Sequence, residues 1–285
     1  MEHELLTLLA DTQSPLADIR KAAELQLLHL YSNPTFPISL LAIASHDSVP
    51  TNLRQSALSI LRTFIGAVWS PQFDDFKDHS QLNDSSKSRI RNGLLELATT
   101  AETPERKVKA SASYAVSKIA SADFPEEWPE LLPSLLHIID NPASSDSALH
   151  GALRVLYDLV DTGFSEKQFF NVARDLVSTL FAVSTNESRR PMLRALAVAV
   201  FRTSFDTLEM VLEEHKVAVK QFMDEVLGGW SPFFISTLRA PLPEAPAEHE
   251  ESKDAEIPSR WRGSIALKLQ VVKVRMTPFC STLPV

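Results

Sequence analysis

The chain has 285 residues, 44% hydrophobic and 22% charged, with a formal net charge of −8, long enough to bury a large core. Its 7 glycines are few for a sheet protein or a phosphate-binding loop and ample for helices, so the expected class is all-α. The single cysteine, Cys280, excludes an internal disulfide framework and a paired-cysteine metal site, and the acidic balance argues against direct nucleic-acid binding.

No export signal opens the chain, and the longest apolar run, Ala195 to Phe201, is far short of a bilayer span. The expectation is a soluble protein of a reducing compartment, with no membrane partner.

In chain order the elements fall into pairs, called A and B. A first A helix covers Leu5 to Ala10. Ser14 and Pro15 then open a B helix whose apolar residues, Leu16, Ile19, Ala23, Leu27 and Leu30, recur at helical spacing. A second A helix at Ile38 to Ala44 leads through Pro50 to a B helix striped by Leu53, Ala57, Ile60, Phe64 and Val68. The polar stretch Ser70 to Ser86 reads as a loop. A third A helix at Ile90 to Ala98 precedes Thr103 and Pro104 and the stripe Val108, Ala112, Ala115, Ile119.

Next comes an unusual crowding of prolines and aromatics, Asp123-Phe124-Pro125-Glu126-Glu127-Trp128-Pro129-Glu130-Leu131-Leu132-Pro133. Proline is tolerated only near a helix start, so this run reads as a sharp corner entering a fourth A helix at Trp128 to Ile139. Pro142 and Pro191 open the fourth and fifth B helices around an A helix at Phe169 to Val183. A sixth A helix is expected at Leu208 to Leu227, where His215 falls in the stripe Leu208, Leu212, Val219, Phe222, Val226 and reads as a core or boundary residue, and the sixth B helix is expected at Trp261 to Lys273. Between those two, residues 240–258 hold four prolines and the acidic residues Glu244, Glu248, Glu250, Glu251, Asp254 and Glu256 against Lys253 alone, the composition of a disordered acidic insert. After Val274 the pattern lapses without a polar cap, as expected of a truncated array.

Pro15, Pro50, Pro104, Pro142 and Pro191 are 44 residues apart on average, inside the roughly 40 to 47 of two-helix HEAT or armadillo repeats. The fold expected is a right-handed α-solenoid of about six HEAT-type pairs. No phosphate loop, nucleophile elbow or zinc helix occurs, the eight histidines are scattered, and adjacent acids such as Glu126 and Glu127, or Asp74 and Asp75, point apart. The chain reads as a set of surfaces, not an enzyme, with no cofactor and no metal.

The run from Asp123 to Pro133 resembles the third-to-fourth repeat junction of importin-β-type karyopherins. Arg20-Lys21-Ala22-Ala23-Glu24, Leu53-Arg54-Gln55-Ser56-Ala57, Leu61-Arg62-Thr63-Phe64-Ile65 with Trp69, Lys87 to Arg91 and Lys107 to Ala120 are similar to that family's N-terminal domain in the same order. Gly229 to Phe234 and Leu267 to Lys273 look most like the importin-nine branch.

The resemblance implies a nuclear transport receptor that shuttles between cytoplasm and nucleus with nucleoporins as partners. In this family the B helices line the inner surface, and the first of them dock the GTPase Ran in its GTP form. The domain organisation implied is 1–165, repeats one to four and the Ran-binding part, and 166–285, repeats five and six with the acidic insert at 240–258. Residues opposite each buried stripe are the Ran-contact expectations: Lys21; Gln55, Ser59 and Arg62; Arg106 and Ser113; Arg154, Asp158 and Asp161. The importin-nine likeness implies basic cargo such as histones, drawn by the acids of the insert. The competing reading is a generic HEAT scaffold for a cytoplasmic complex.

Overall fold

Twelve α-helices, a single 3₁₀ turn and no strand make up the described residues of the computed structural model, which are 2–77, 82–99, 106–162, 166–210, 216–246 and 260–274. In order they are α1 (Glu2–Asp11), α2 (Ala17–His29), α3 (Phe36–Ser45), α4 (Thr51–Val68), α5 (Asp84–Thr99), α6 (Arg106–Asp123), α7 (Leu131–Asp140), α8 (Asp146–Thr162), α9 (Glu166–Thr185), α10 (Pro191–Met210), α11 (Lys216–Arg239) and α12 (Arg260–Lys273). Odd helices are the A members and even helices the B members of six pairs.

The chain divides into two compact units, Met1–Pro129 and Glu130–Val285, three pairs in each. In the first unit α1, α3 and α5 pack in sequence, α4 packs on α6, and each B helix rests on its A partner. The second unit repeats the arrangement, with α7, α9 and α11 in one row and α8, α10 and α12 in the other. Two stacked layers are what a helix with one apolar stripe must form to bury it.

A recurring device closes the corner between A and B helices. The fourth residue of α4, Arg54, donates from Nε to the carbonyl of Ala44, the penultimate residue of α3, at 2.7 Å. The fourth residue of α10, Arg194, does the same to Ser184, penultimate in α9, also at 2.7 Å. Arg20, fourth in α2, bonds the Ser14 carbonyl at 2.7 Å. Each guanidinium satisfies a carbonyl that a helix end or turn leaves without a backbone partner, and its charge strengthens the bond. Arg54 also pairs with Asp47 at 3.1 Å while only 1% exposed.

The run at 123–128 ends the first unit as a packed cluster. Asp123 is 4% exposed and takes a hydrogen bond from Trp69 Nε1 at 2.8 Å and another from Arg91 Nε at 2.8 Å. Arg91 also bonds the Glu127 carbonyl at 2.7 Å and lies over the rings of Trp69 and Trp128, 5.7 and 5.9 Å from their centroids. The Phe124–Pro125 peptide is cis.

In the second unit Trp230 stacks on Phe201 at 3.6 Å and 14°, with Phe181, Phe233 and Phe234 around it. This core explains where the sixth A helix lies. It begins at Lys216 and runs to Arg239 rather than spanning 208–227, passing through Gly228, Gly229 and an interior Pro232, because burying Trp230, Phe233 and Phe234 outweighs the cost of those residues within a helix. Leu208 belongs to α10, while Leu212 and His215 fall outside the described residues. The buried residues of α11 include Val219 and Met223, so the stripe is one residue off the expected Phe222, which is half-buried.

Two further expectations shift. The fourth A helix starts at Leu131, not Trp128, since Pro129 and Glu130 form the turn before it. The first B helix starts at Ala17 behind Leu16, with the Ser14 hydroxyl accepting from the Leu16 amide at 3.2 Å, and it buries Ala23 and Leu27 while Leu16 and Ile19 stand 61% and 39% exposed.

Candidate functional site

Helices α2, α4 and α6 expose one face each in the first unit, and their buried faces decide which side chains those are. The α4 stripe buries Arg54, Ala57, Leu58, Leu61, Phe64, Ile65 and Val68. Asn52, Ser59, Arg62 and Thr63 are left exposed and Gln55 and Ser56 half-buried, a polar row almost free of acid. On α2, Lys21 is exposed beside Leu25 and Leu28, which are 59% and 51% exposed.

On α6, which like α4 packs against two neighbouring helices, the buried face extends past the expected stripe. Val108, Lys109, Ala112, Ser113, Ala115, Val116, Ile119 and Ala120 are all buried. Ser113 is thus a correction to the sequence reading: it is 1% exposed and its hydroxyl donates to the Lys109 carbonyl at 3.0 Å, inside its own helix. The outward residues on this helix are Lys107, exposed, Tyr114, 44% exposed, and Lys118, half-buried with its ammonium 4.0 Å from the Phe73 ring centroid. They recur at steps of seven and four, the signal that a helical wheel drawn about the true stripe would have found. The side chain of Arg106 lies outside the described residues.

Between α2 and α4 lies an open groove of about 320 Å³. Its floor is Leu27, Leu28, Tyr31 and Ile60, and its α4 wall is Ser56, Ser59 and Thr63, with Glu24 at the rim. Gln13, in the turn after α1, holds one end by bonding the Ser56 hydroxyl at 2.7 Å and accepting from Asn52 Nδ2 at 2.7 Å. Tyr31 sits edge-on to Phe64 at 5.1 Å, and burial pushes its phenol above the ordinary range. The α2–α4 groove thus combines apolar area with hydroxyl groups and the carboxylate of Glu24.

In the second unit, on α8, Arg154 Nε lies 3.8 Å from Asp158 Oδ1, one turn on, and Asp161 is exposed. Arg154 and Asp158 are half-buried, and an exposed i,i+4 pair contributes only roughly 0.3–0.5 kcal/mol. Of the acidic candidates, Glu244 is exposed, while Glu248, Glu250, Glu251, Asp254 and Glu256 fall outside the described residues. No group of three or more His, Cys, Asp or Glu able to hold a metal occurs among the described residues, and no helix among them is long and apolar enough to cross a membrane.

Residues 23–100, from within α2 to just past the end of α5, match the family model described as the Importin-beta N-terminal domain. Importin subunit beta-5 of Schizosaccharomyces pombe is 35% identical over 239 residues, 82% of this chain and 23% of the relative. Importin subunit beta-5 of Saccharomyces cerevisiae is 26% identical over 77% of this chain and 22% of its own length, and Importin-9 of Drosophila melanogaster is 21% identical over the same shares. The chain therefore spans under a quarter of these relatives.

Among solved structures, importin beta in an ammonium sulfate condition superposes with a TM-score of 0.67 at 16% identity, covering 97% of this chain and 30% of that one. The Kap95:Nup1 complex gives 0.67 at 14%, covering 99% and 31%, and Kap95p bound to RanGDP gives 0.61 at 15%, covering 84% and 29%. At such identities the structures speak to fold alone, and that fold is the importin-β solenoid. Joined to the domain match and the 35% identical relative, it establishes that this chain belongs to the importin-β family.

Proposed function

We propose that this chain is the N-terminal part of a nuclear transport receptor and that the exposed faces of α2, α4 and α6 dock Ran in its GTP form. The observation that carries the reading is the domain match at 23–100, which takes in the polar row Gln55, Ser59 and Arg62 on α4. Lys21 on α2 and Lys107, Tyr114 and Lys118 on α6 extend the contact face; Arg106 joins them by position. Kap95p, a structural neighbour, acts on the switch loops of RanGDP, which supports Ran as the GTPase.

The Kap95 complex with Nup1 supports nucleoporins as further partners, and a protein that meets both would shuttle between cytoplasm and nucleus. Protein cargo, with histones the candidate class, is assigned to the acids Glu244 to Glu256 on charge grounds. Arg154, Asp158 and Asp161 on α8 are kept as a secondary contact set.

The test is a pull-down with Ran loaded with GTP or GDP. Selective capture of the GTP form is expected. Equal binding of both forms, or none, would favour a plain HEAT scaffold instead.

A further inference from the structure

Serine or threonine precedes proline at five places in the chain: Ser14, Ser70, Thr103, Ser231 and Thr277. The fold sorts them. Ser70 is only 9% exposed, Ser231 lies inside α11 ahead of Pro232, and Thr103 and Thr277 fall outside the described residues. Ser14 stands in the turn between α1 and α2, half-buried itself and followed by five exposed residues, Pro15 to Ile19, of which Leu16 is 61% exposed. Its hydroxyl accepts from the Leu16 amide at 3.2 Å and donates to nothing among the described residues.

A proline after the acceptor has no N–H and turns the serine away from helical backbone, the extended presentation that a proline-directed kinase takes up. The receiving group is already in place. Arg20 Nη1 donates to the Ser14 carbonyl at 2.7 Å, and among the described residues this is its only hydrogen bond, so the other N–H groups of its fork are unused. We propose that Ser14 is a phosphorylation site for a proline-directed kinase and that Arg20 clamps the phosphate. Ser14 Oγ attacks the γ-phosphorus of ATP, the bond to the β,γ-bridging oxygen breaks, the hydroxyl proton passes to the kinase's catalytic carboxylate, and ADP leaves.

Phosphoserine brings about −1.5 to −2 charge and three strong acceptor oxygens. Asp11 and Asp18 are the acids nearest in sequence and Lys21 is a second cation beside Arg20, so the surrounding charge balances and the contact with Arg20 decides the sign. A charge-assisted bond to phosphate is stronger than the neutral carbonyl bond it joins. Gln13, the preceding residue, bonds Ser56 and Asn52 on α4, each at 2.7 Å. A stiffer turn at Ser14 therefore also tightens the join between the first helix pair and the second, with or without Ran.

The experiment treats the whole chain with a purified cyclin-dependent kinase and ATP, maps phosphate by mass spectrometry, and melts the treated and untreated forms. Phosphate is expected on Ser14. Pro15→Ala should slow its incorporation about tenfold or more. Treatment should raise the melting temperature by about 2–4 °C, a rise absent from Ser14→Ala. Arg20→Ala should still be modified at Ser14 but should lose the rise.

No phosphate on Ser14, whatever appears on Thr103 or Thr277, would overturn the site. Unchanged incorporation in Pro15→Ala would overturn the proline-directed reading. A rise that survives in Arg20→Ala, or no rise in the native chain, would overturn the clamp.

Discussion

The indole nitrogen of Trp69 donates a 2.8 Å hydrogen bond to the carboxylate of Asp123, fastening the residue just past α4 to the last residue of α6. Arg91 on α5 bonds the same oxygen, so three helices of the first unit meet on one buried acid. Replacing Asp123 with Ala strands a largely buried guanidinium and an indole N–H. It should cost about 3–5 kcal/mol in urea denaturation, whereas Trp69→Phe, which leaves the ion pair in place, should cost about 1–3 kcal/mol.

Two glycines make opposite predictions. A Cβ at Gly263 would stand 2.7 Å from the Met192 backbone nitrogen, where α12 crosses the start of α10. Backbone cannot yield, so Gly263→Ala should lower stability by about 1–3 kcal/mol. At Gly228, inside α11, nothing lies within 4 Å. Gly228→Ala should raise stability by about 0.5–1 kcal/mol, the ordinary helical gain. Thermal melts of the two variants check both signs.

The buried phenol of Tyr31 ionises less readily folded than unfolded. Its contribution is therefore complete below the unfolded value, about 10, and declines as pH rises through the folded one. Tyr31→Phe should leave stability near neutrality little changed, and should remove part of the alkaline loss. Denaturant midpoints of both proteins across the alkaline limb measure the difference.

On the proposed Ran face, Lys21→Glu and Arg62→Glu change exposed side chains and should weaken Ran-GTP binding about five- to tenfold, chiefly through the association rate, with an unchanged melting temperature. Ser113→Ala should leave binding untouched, because that hydroxyl is turned into its own helix. Stopped-flow association with labelled Ran separates the two cases.

The helix pairs are legible because B helices such as α2, α4 and α6 carry apolar residues at steps of three and four behind a proline, and for α4 and α6 the expected residues are buried or, like Leu53 and Ile60, partly so. What periodicity cannot supply is the width of the buried arc. On α6 the buried arc takes in Ser113 and leaves Tyr114 facing solvent. A helix covered on one side hides fewer, so Leu16 and Ile19 are exposed. The extension of α11 is hidden for a different reason: Gly228, Gly229 and Pro232 are helix breakers locally, and the aromatic cluster around Trp230 overrides them.

The arginine corners at Arg54 and Arg194 each reach back ten residues, to Ala44 and Ser184. A clasp that short needs nothing from the rest of the chain. Each hairpin of helices is then complete as soon as its own B helix has begun, and chain emerging from a ribosome gains finished, self-closed units one after another instead of waiting for distant sequence. Such local closure keeps unfinished apolar surface confined to the growing end.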